Sequence, residues 1–518
     1  MNRRALLAAL VGVGLLAATV RPVGAVGVGV ISKKNMEWVF NVPQAVGADI
    51  EFYENRLEDG SLKRYAVATS MGNGFTIIDI TNPALPVLAG ASADPGVSWQ
   101  GDVQVNPKRK IVSVAYDGAP AASVNNAGLG DGIALYDISD VARPTLLSVV
   151  KGLGGAHNAT MVGDNFIYTS SPTRIVEYTN ATAPVNHGTR GFNFCSTHDI
   201  TVDPNIPNRI HLACPGNTYQ IVDVTDPLNP VEVARRTLPQ VATAHQADPA
   251  PDSSFVAISD EQGGGLTCVQ APCGGLHVYD ISGRYVANAS EGSPQLAGRY
   301  YIPFYRPMDP SANQPWGNNT AHNFTFQSER ALLSIGWYTV GSWVVDMQHP
   351  TNNTGPYAEY AGTQFGGPTT WGNTQGNILL EGAETWSAKW ARFDDPAYDR
   401  YVFTNDITRG VDVLRYTGGM PKKIARLNVD AEATGGSVTG KLDRFAVWTY
   451  QGWVNKPLAG KTVTVSVPGG ASATVTTEAD GSFSADLGLE AGSHDVVVTW
   501  NDSTGVYQTA TATQTVSA

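Results

Sequence analysis

The chain has 518 residues, roughly three times the ~150 expected of one domain, so a large fold with a smaller appendage is the prior. Hydrophobic residues reach 42% and charged residues only 15%, which excludes a disordered chain and a coiled coil, while 55 glycines and 31 prolines make turns frequent and long helices few. The net charge of −12, with no basic run, excludes a nucleic-acid partner, because phosphate neutralisation needs clustered Lys and Arg.

The first predicted element is a secretory signal peptide over residues 1–25. Arg3 and Arg4 precede an uncharged apolar run from Ala5 to Val20, and small residues ending in Val23, Gly24 and Ala25 follow. The run falls short of the ~20 residues a spanning helix needs, which weighs against the alternative of a membrane anchor. The Arg-Arg-x-Leu-Leu start is also compatible with twin-arginine export. Removing 1–25 takes away Arg3, Arg4 and Arg21 and no acid, leaving a mature charge of about −15. No later segment is apolar enough to span, so the expected location is secreted or cell-surface, with no transmembrane segment after signal removal.

From residue 38 to 420 the chain repeats a short apolar strand ending in an acid, then Ser or Thr and often Pro. The acids are Asp79, Asp137, Glu177, Asp223, Asp280, Asp346 and Asp412, spaced by 40 to 66 residues, which suits one four-stranded blade each with variable loops. Upstream of each acid lies a second element expected to be the innermost strand: Ala48-Asp49, Gly101-Asp102, His157-Asn158, His198-Asp199, His245-Gln246, His322-Asn323 and Ala388-Lys389. A single small sheet cannot bury both faces, so a radial array follows. The predicted fold is all-β: a seven-bladed β-propeller followed by a small immunoglobulin-like β-sandwich.

At these residues the chain resembles the LVIVD-repeat family of secreted propellers, named for the apolar-Asp-x-Ser/Thr-x-Pro strand. The Asp79, Asp223 and Asp346 copies fit best, while Glu177 and the Pro-less Asp280 and Asp412 copies depart from the pattern. The resemblance implies the propeller and an extracellular setting, and supplies no catalytic activity. From 425 to 518 the chain turns Thr/Val/Gly-rich, and its alternating strand Lys461–Val467 and Asp480-Gly481-Ser482-Phe483 turn resemble immunoglobulin-like modules of bacterial surface proteins.

Export permits disulfides, and the four cysteines are expected to pair as Cys195–Cys214, across a hairpin turning near Asp203, and Cys268–Cys273, around a short loop.

Candidate chemistry gathers where innermost strands converge. His157, His198, His245 and His322 share one position in consecutive repeats, and neutral imidazoles meeting there would suit one transition-metal ion: Zn, Cu, Fe or Mn. The competing reading is that duplication copied a structural histidine that bonds the neighbouring blade. The other five histidines lie off this register and read as structural. Glu261 and Glu384 are the candidate catalytic acid/base groups, with Asp49, Asp102 and Asp260 as neighbouring carboxylates. Trp337, Tyr338 and Trp386 are the candidate ligand-binding residues, offering stacking faces to a carbohydrate or aromatic extracellular ligand, with blade packing as the alternative. Residues 286–320 and 351–384 read as long insertions. No nucleophile elbow, P-loop, dinucleotide fingerprint or zincin motif is present. Two functions stand open: an exported propeller binding a ligand or partner on its channel face, and a metal-dependent hydrolase, lyase or oxidase using the histidine cluster.

Overall fold

The computed structural model describes residues 29–44, 46–71, 74–92, 101–116, 132–239, 241–261, 274–302, 320–348 and 371–518. The expectations for residues 1–25 and Cys268–Cys273, and one of the off-register histidines, His349, lie outside these. The described residues are strands and turns, with a single 3-10 turn at Pro396–Tyr398. No helix among them is long and apolar enough to cross a membrane.

Five small antiparallel sheets follow one another, each a four-stranded meander in chain order. The first runs Gly47–Arg56, Leu62–Ser70, Gly74–Asp79 and Val87–Ala91. The first strands of the next four are Val103–Asn106, Ala159–Val162, Asp199–Val202 and Ala244–Pro249. Two further meanders begin at Asn323–Phe326 and Thr385–Trp390, and a short parallel pairing, Asn323 opposite Ser387 and Phe324 opposite Ala388, joins them into one nine-stranded sheet. Each first strand touches the next sheet's first strand, and Thr385–Trp390 touches Gly47–Arg56, so the succession closes on itself.

The repeat acids cap the turn from third to fourth strand. Asp79, Asp137, Asp223 and Asp280 each accept the backbone N–H two residues on, at 2.7–2.8 Å, and Asp346 does so at 3.0 Å. This is the short-range bond that makes Asp a turn residue. Asp412 is a correction to the expected repeat register. Tyr65 lies opposite Asp79, whereas the equivalent Tyr401 lies opposite Arg415. The physical reason is that this last sheet needs no such turn: its outer strand is Met36–Val42, supplied from the other end of the chain. Arg415 pairs with Glu37 on that strand, and Asp412 instead accepts from Trp38 Nε1, Asn41 Nδ2 and Arg409. The preceding strand, Val30–Lys34, adds to the outer edge of the neighbouring meander at Asn373–Leu380.

Within the segments read as insertions, Asn373–Leu380 and Gln295–Tyr300 are outer strands of their meanders, while 351–370 and 303–319 lie outside the described residues. Apolar side chains fill the spaces between adjacent sheets, for example Ile50, Ala66, Ile78, Phe403 and Val413 between the first and last.

From Ala425 a three-stranded sheet (Ala425–Val429, Ser437–Arg444, Ser482–Asp486) faces a four-stranded one (Ser472–Thr476, Thr462–Ser466, Ser493–Trp500, Ala510–Ser517). Val438, Leu442, Val463, Phe483, Val498 and Trp500 form their shared core. Glu329, buried in the larger region, bonds Lys423 and Arg444 at 2.7 Å and Tyr507 at 3.0 Å. A hairpin, Val447–Thr449 with Gly452–Val454, leaves this region and lies against the first strands: Trp448 Nε1 donates to the Phe52 carbonyl at 2.8 Å.

Candidate metal centre

The four in-register histidines sit at the starts of consecutive first strands, where the backbone N–H of His157, His198 and His322 is tied to its own second strand. The closed succession brings their rings into one contiguous row. Centroids are 4.3 Å apart for His157 and His198, 4.2 Å for His198 and His245, and 4.0 Å for His245 and His322. In the last sheet the equivalent place is taken by Trp386, whose ring lies 4.4 Å from His322 and ends the row.

Glu261 follows the strand Phe255–Asp260, its N–H bonded to the Thr243 carbonyl at 3.0 Å, which aims the carboxylate at the row. Its oxygens lie 3.5 Å from His322 Nε2 and 3.8 Å from His245 Nε2. Donor atoms of His198, His245 and Glu261 all fall within 4.8 Å of one another. Tyr338 Oη donates to Glu261 Oε1 at 2.7 Å. The Tyr338 backbone has φ +42°, a left-handed conformation unfavourable for a bulky residue. Paired bonds with Thr385 hold it there, and Gly336 makes the approach possible, because a Cβ at that point would meet the Thr385 carbonyl at 2.8 Å.

Burial governs the electrostatics. Desolvation lowers His198 and His245 well below the ordinary imidazole value, and repulsion from other histidines of the row, His157 and His322 among them, adds to it. His322 falls to about 3, again chiefly through burial. The carboxyl of Glu261 is pushed up to about 7 by burial, against the opposing pull of the Tyr338 hydrogen bond. His198, His245 and His322 are therefore neutral, the form in which imidazole ligates. His322 Nδ1 faces the Trp386 carbonyl at 2.7 Å and so carries the proton, leaving the lone pair on Nε2. His198 Nδ1, His245 Nδ1 and His322 Nε2 have no hydrogen-bond partner. Orphaned, buried nitrogen lone pairs beside a carboxylate fit a borderline transition-metal ion such as Zn, Cu, Fe or Mn.

Residues 65–94 match the LVIVD repeat. No curated protein sequence matches the chain. Similar solved structures include a functionally unknown protein from Desulfotomaculum acetoxidans DSM 771, at 15% identity over 57% of this chain and 81% of that one, TM-score 0.40. Another is the β-propeller domain of Cps50 (Swd1) from Myceliophteria_thermophila, at 9% identity over 73% of this chain and 99% of that one, TM-score 0.48.

The remaining candidates are distributed as follows. Glu384 is half-buried and acts on Tyr338, whose phenol burial and the Glu261 and Glu384 charges hold well above its ordinary value. Asp260 caps the backbone of Ala242 and Thr243. Trp337 is 1% exposed and packs near Tyr300, so it presents no face to a ligand; the indole belongs to the core between sheets. Tyr338 and Trp386, also buried, join the histidine row rather than forming an open stacking platform. His187 bonds Glu177, His211 bonds Tyr219 and His494 bonds the Glu490 carbonyl, all structural contacts. Cys195 and Cys214 form a disulfide. Sequence reasoning did not reveal the Tyr338–Glu261 bond; the only sign was a Gly-Trp-Tyr segment after an otherwise regular strand.

Proposed function

We propose that residues 38–420 form a seven-bladed β-propeller, exported by the segment 1–25 and followed by an immunoglobulin-like sandwich at 425–518. Its axis carries one transition-metal ion held by His198, His245 and Glu261. The closed succession of first strands supports the propeller, and the convergence of those three donors carries the metal reading. This favours a metal-dependent extracellular enzyme over simple ligand capture, since stacking sites on Trp337, Tyr338 and Trp386 are buried.

A bound metal ion would supply Lewis acidity to an oxygen-bearing ligand or to water. Around it, Tyr338 orients the Glu261 carboxylate, and the Trp386 carbonyl fixes the His322 tautomer. His322 is thereby held neutral with its Nε2 lone pair turned towards Glu261. Trp386 and Tyr338 close one end of the row against water.

The test is elemental analysis by plasma mass spectrometry on protein purified by its export route without chelator. About one equivalent of a transition metal, lost in H198A/H245A while the far-ultraviolet spectrum is kept, is the expected outcome. Absence of metal, with melting unchanged in strong chelator, would overturn the reading and leave the row as packing.

A further inference from the structure

Beyond the histidine row, the same first strands enclose a cavity of about 300 Å³ that the metal reading does not use. Its walls carry Asp102, Asp199 and Asp248, and the hairpin residues Trp448 and Trp453 stand over it. Three cations line it, and all are engaged: Lys108 pairs with Asp164. Lys389 Nζ lies 2.6 Å from Asp49 and 2.7 Å from Glu51, and the Arg392 guanidinium stacks 4.4 Å over the Trp453 ring. Asp102 accepts the Ala159 N–H and Asp199 its neighbour Ile200's, so each has one oxygen turned to partners. Asp248 is different. This lining residue is 1% exposed and bonds the Phe326 backbone, yet its Oδ1 has no hydrogen-bond partner. Burying such an oxygen without a partner is costly, and a ligand with a matching donor would remove that cost.

We propose that this cavity is a binding site for a small organic ammonium compound, its cationic nitrogen on Asp248 and its apolar part under Trp448. The excess of carboxylates sets the sign of the ligand, and the indoles suit an ammonium group with a carbon skeleton. A bare metal ion fits less well. Among the described residues, only His198, His245 and Glu261 bring three donor atoms within 4.8 Å, so the cavity's carboxylates stand too far apart to share one ion. A neutral sugar would leave the excess charge unanswered.

The experiment is isothermal titration of the full chain with 1,4-diaminobutane and with glucosamine, using glucose and calcium as comparison probes. Saturable binding of an amine, weakened about tenfold or more in D248N, is expected from loss of one charge-assisted hydrogen bond. Gln451 is exposed on the hairpin beside the cavity, so Q451K adds a positive charge there without touching the core and should weaken binding as well. It carries the test if D248N fails to fold. No saturable amine binding up to about 10 mM would overturn the proposal. So would equal binding of glucose, binding of calcium in place of the amine, or amine affinity untouched by both substitutions.

Discussion

The two ends of the inner strands are built from adjacent residues and behave oppositely. At the start of the strands, burial strips charge from histidines and leaves nitrogen lone pairs facing one another around Glu261. One to three residues further along, the same burial acts on carboxylates: Asp199 is pushed up to about 7, Asp248 to about 6, and Asp102 well above its ordinary value. Desolvation disfavours the charged form in both places, but it makes a base neutral and coordinating, and an acid reluctant to ionise. The acidic end tolerates its charges because Lys389 sits among them. Burial opposes that ammonium, yet Asp49 and Glu51 more than offset it and hold it above its ordinary value.

The largest expected effect therefore comes from removing that cation. K389M leaves the buried Asp49 and the half-buried Glu51 without their counter-charge and should cost about 3–5 kcal/mol in equilibrium denaturation, with part of the loss restored in the D49N/K389M double variant. A K389M protein as stable as the parent would show that the acidic end does not depend on its lysine.

The next effect separates the two ends by pH, measured on chelator-treated protein. His322, at about 3 when folded against 6.5 when free, binds fewer protons in the native state, so its penalty grows as pH falls from about 6.5 towards 3. Asp248, at about 6 against 3.8, binds more protons in the native state, so its penalty grows as pH rises from about 4 through 6. Relative to the parent, H322Q should gain stability on the acid side and D248N on the neutral side, each on the order of 1–2 kcal/mol. Melting curves with the two gains on the same side of the range would break the contrast between the ends.

The smallest effect sharpens only the histidine end. The Tyr338 hydrogen bond lowers the Glu261 value against burial, so Y338F should move it up. A metal needs the carboxylate, so the pH midpoint of metal uptake should rise by up to about one unit in Y338F. An unchanged midpoint would mean that the phenol does not tune this carboxylate.

Much of this was legible in the sequence because it is periodic. The apolar-acid strand and the histidine register both recur, and a residue recurring at one place in successive repeats converges when the repeats close. His198 and His245 could be paired on that basis. What could not be read is aperiodic. Tyr338 reaches Glu261 from an irregular turn, Trp386 takes the histidine's place without resembling it, and Met36–Val42 carries no repeat mark because its partners lie at the other end of the chain. The aromatic residues misled for a related reason: a tryptophan that stacks on a ligand and one that wedges between sheets leave the same trace, and only burial tells them apart.

The strand Met36–Val42 has a consequence for how the chain reaches this state. Its indole bond from Trp38 to Asp412 spans 374 positions, so the last sheet is completed by a segment that lies ahead of almost the whole array in the chain and must remain unpaired until that array exists. Contacts of such high order are slow to form, since chain-closure entropy has to be met before they contribute anything. Once made, they act as a clasp. Opening the array at that seam requires stripping the Met36–Val42 ladder as a unit, so resistance to unfolding should be set there by the rate of unclasping rather than by the stability of any single sheet.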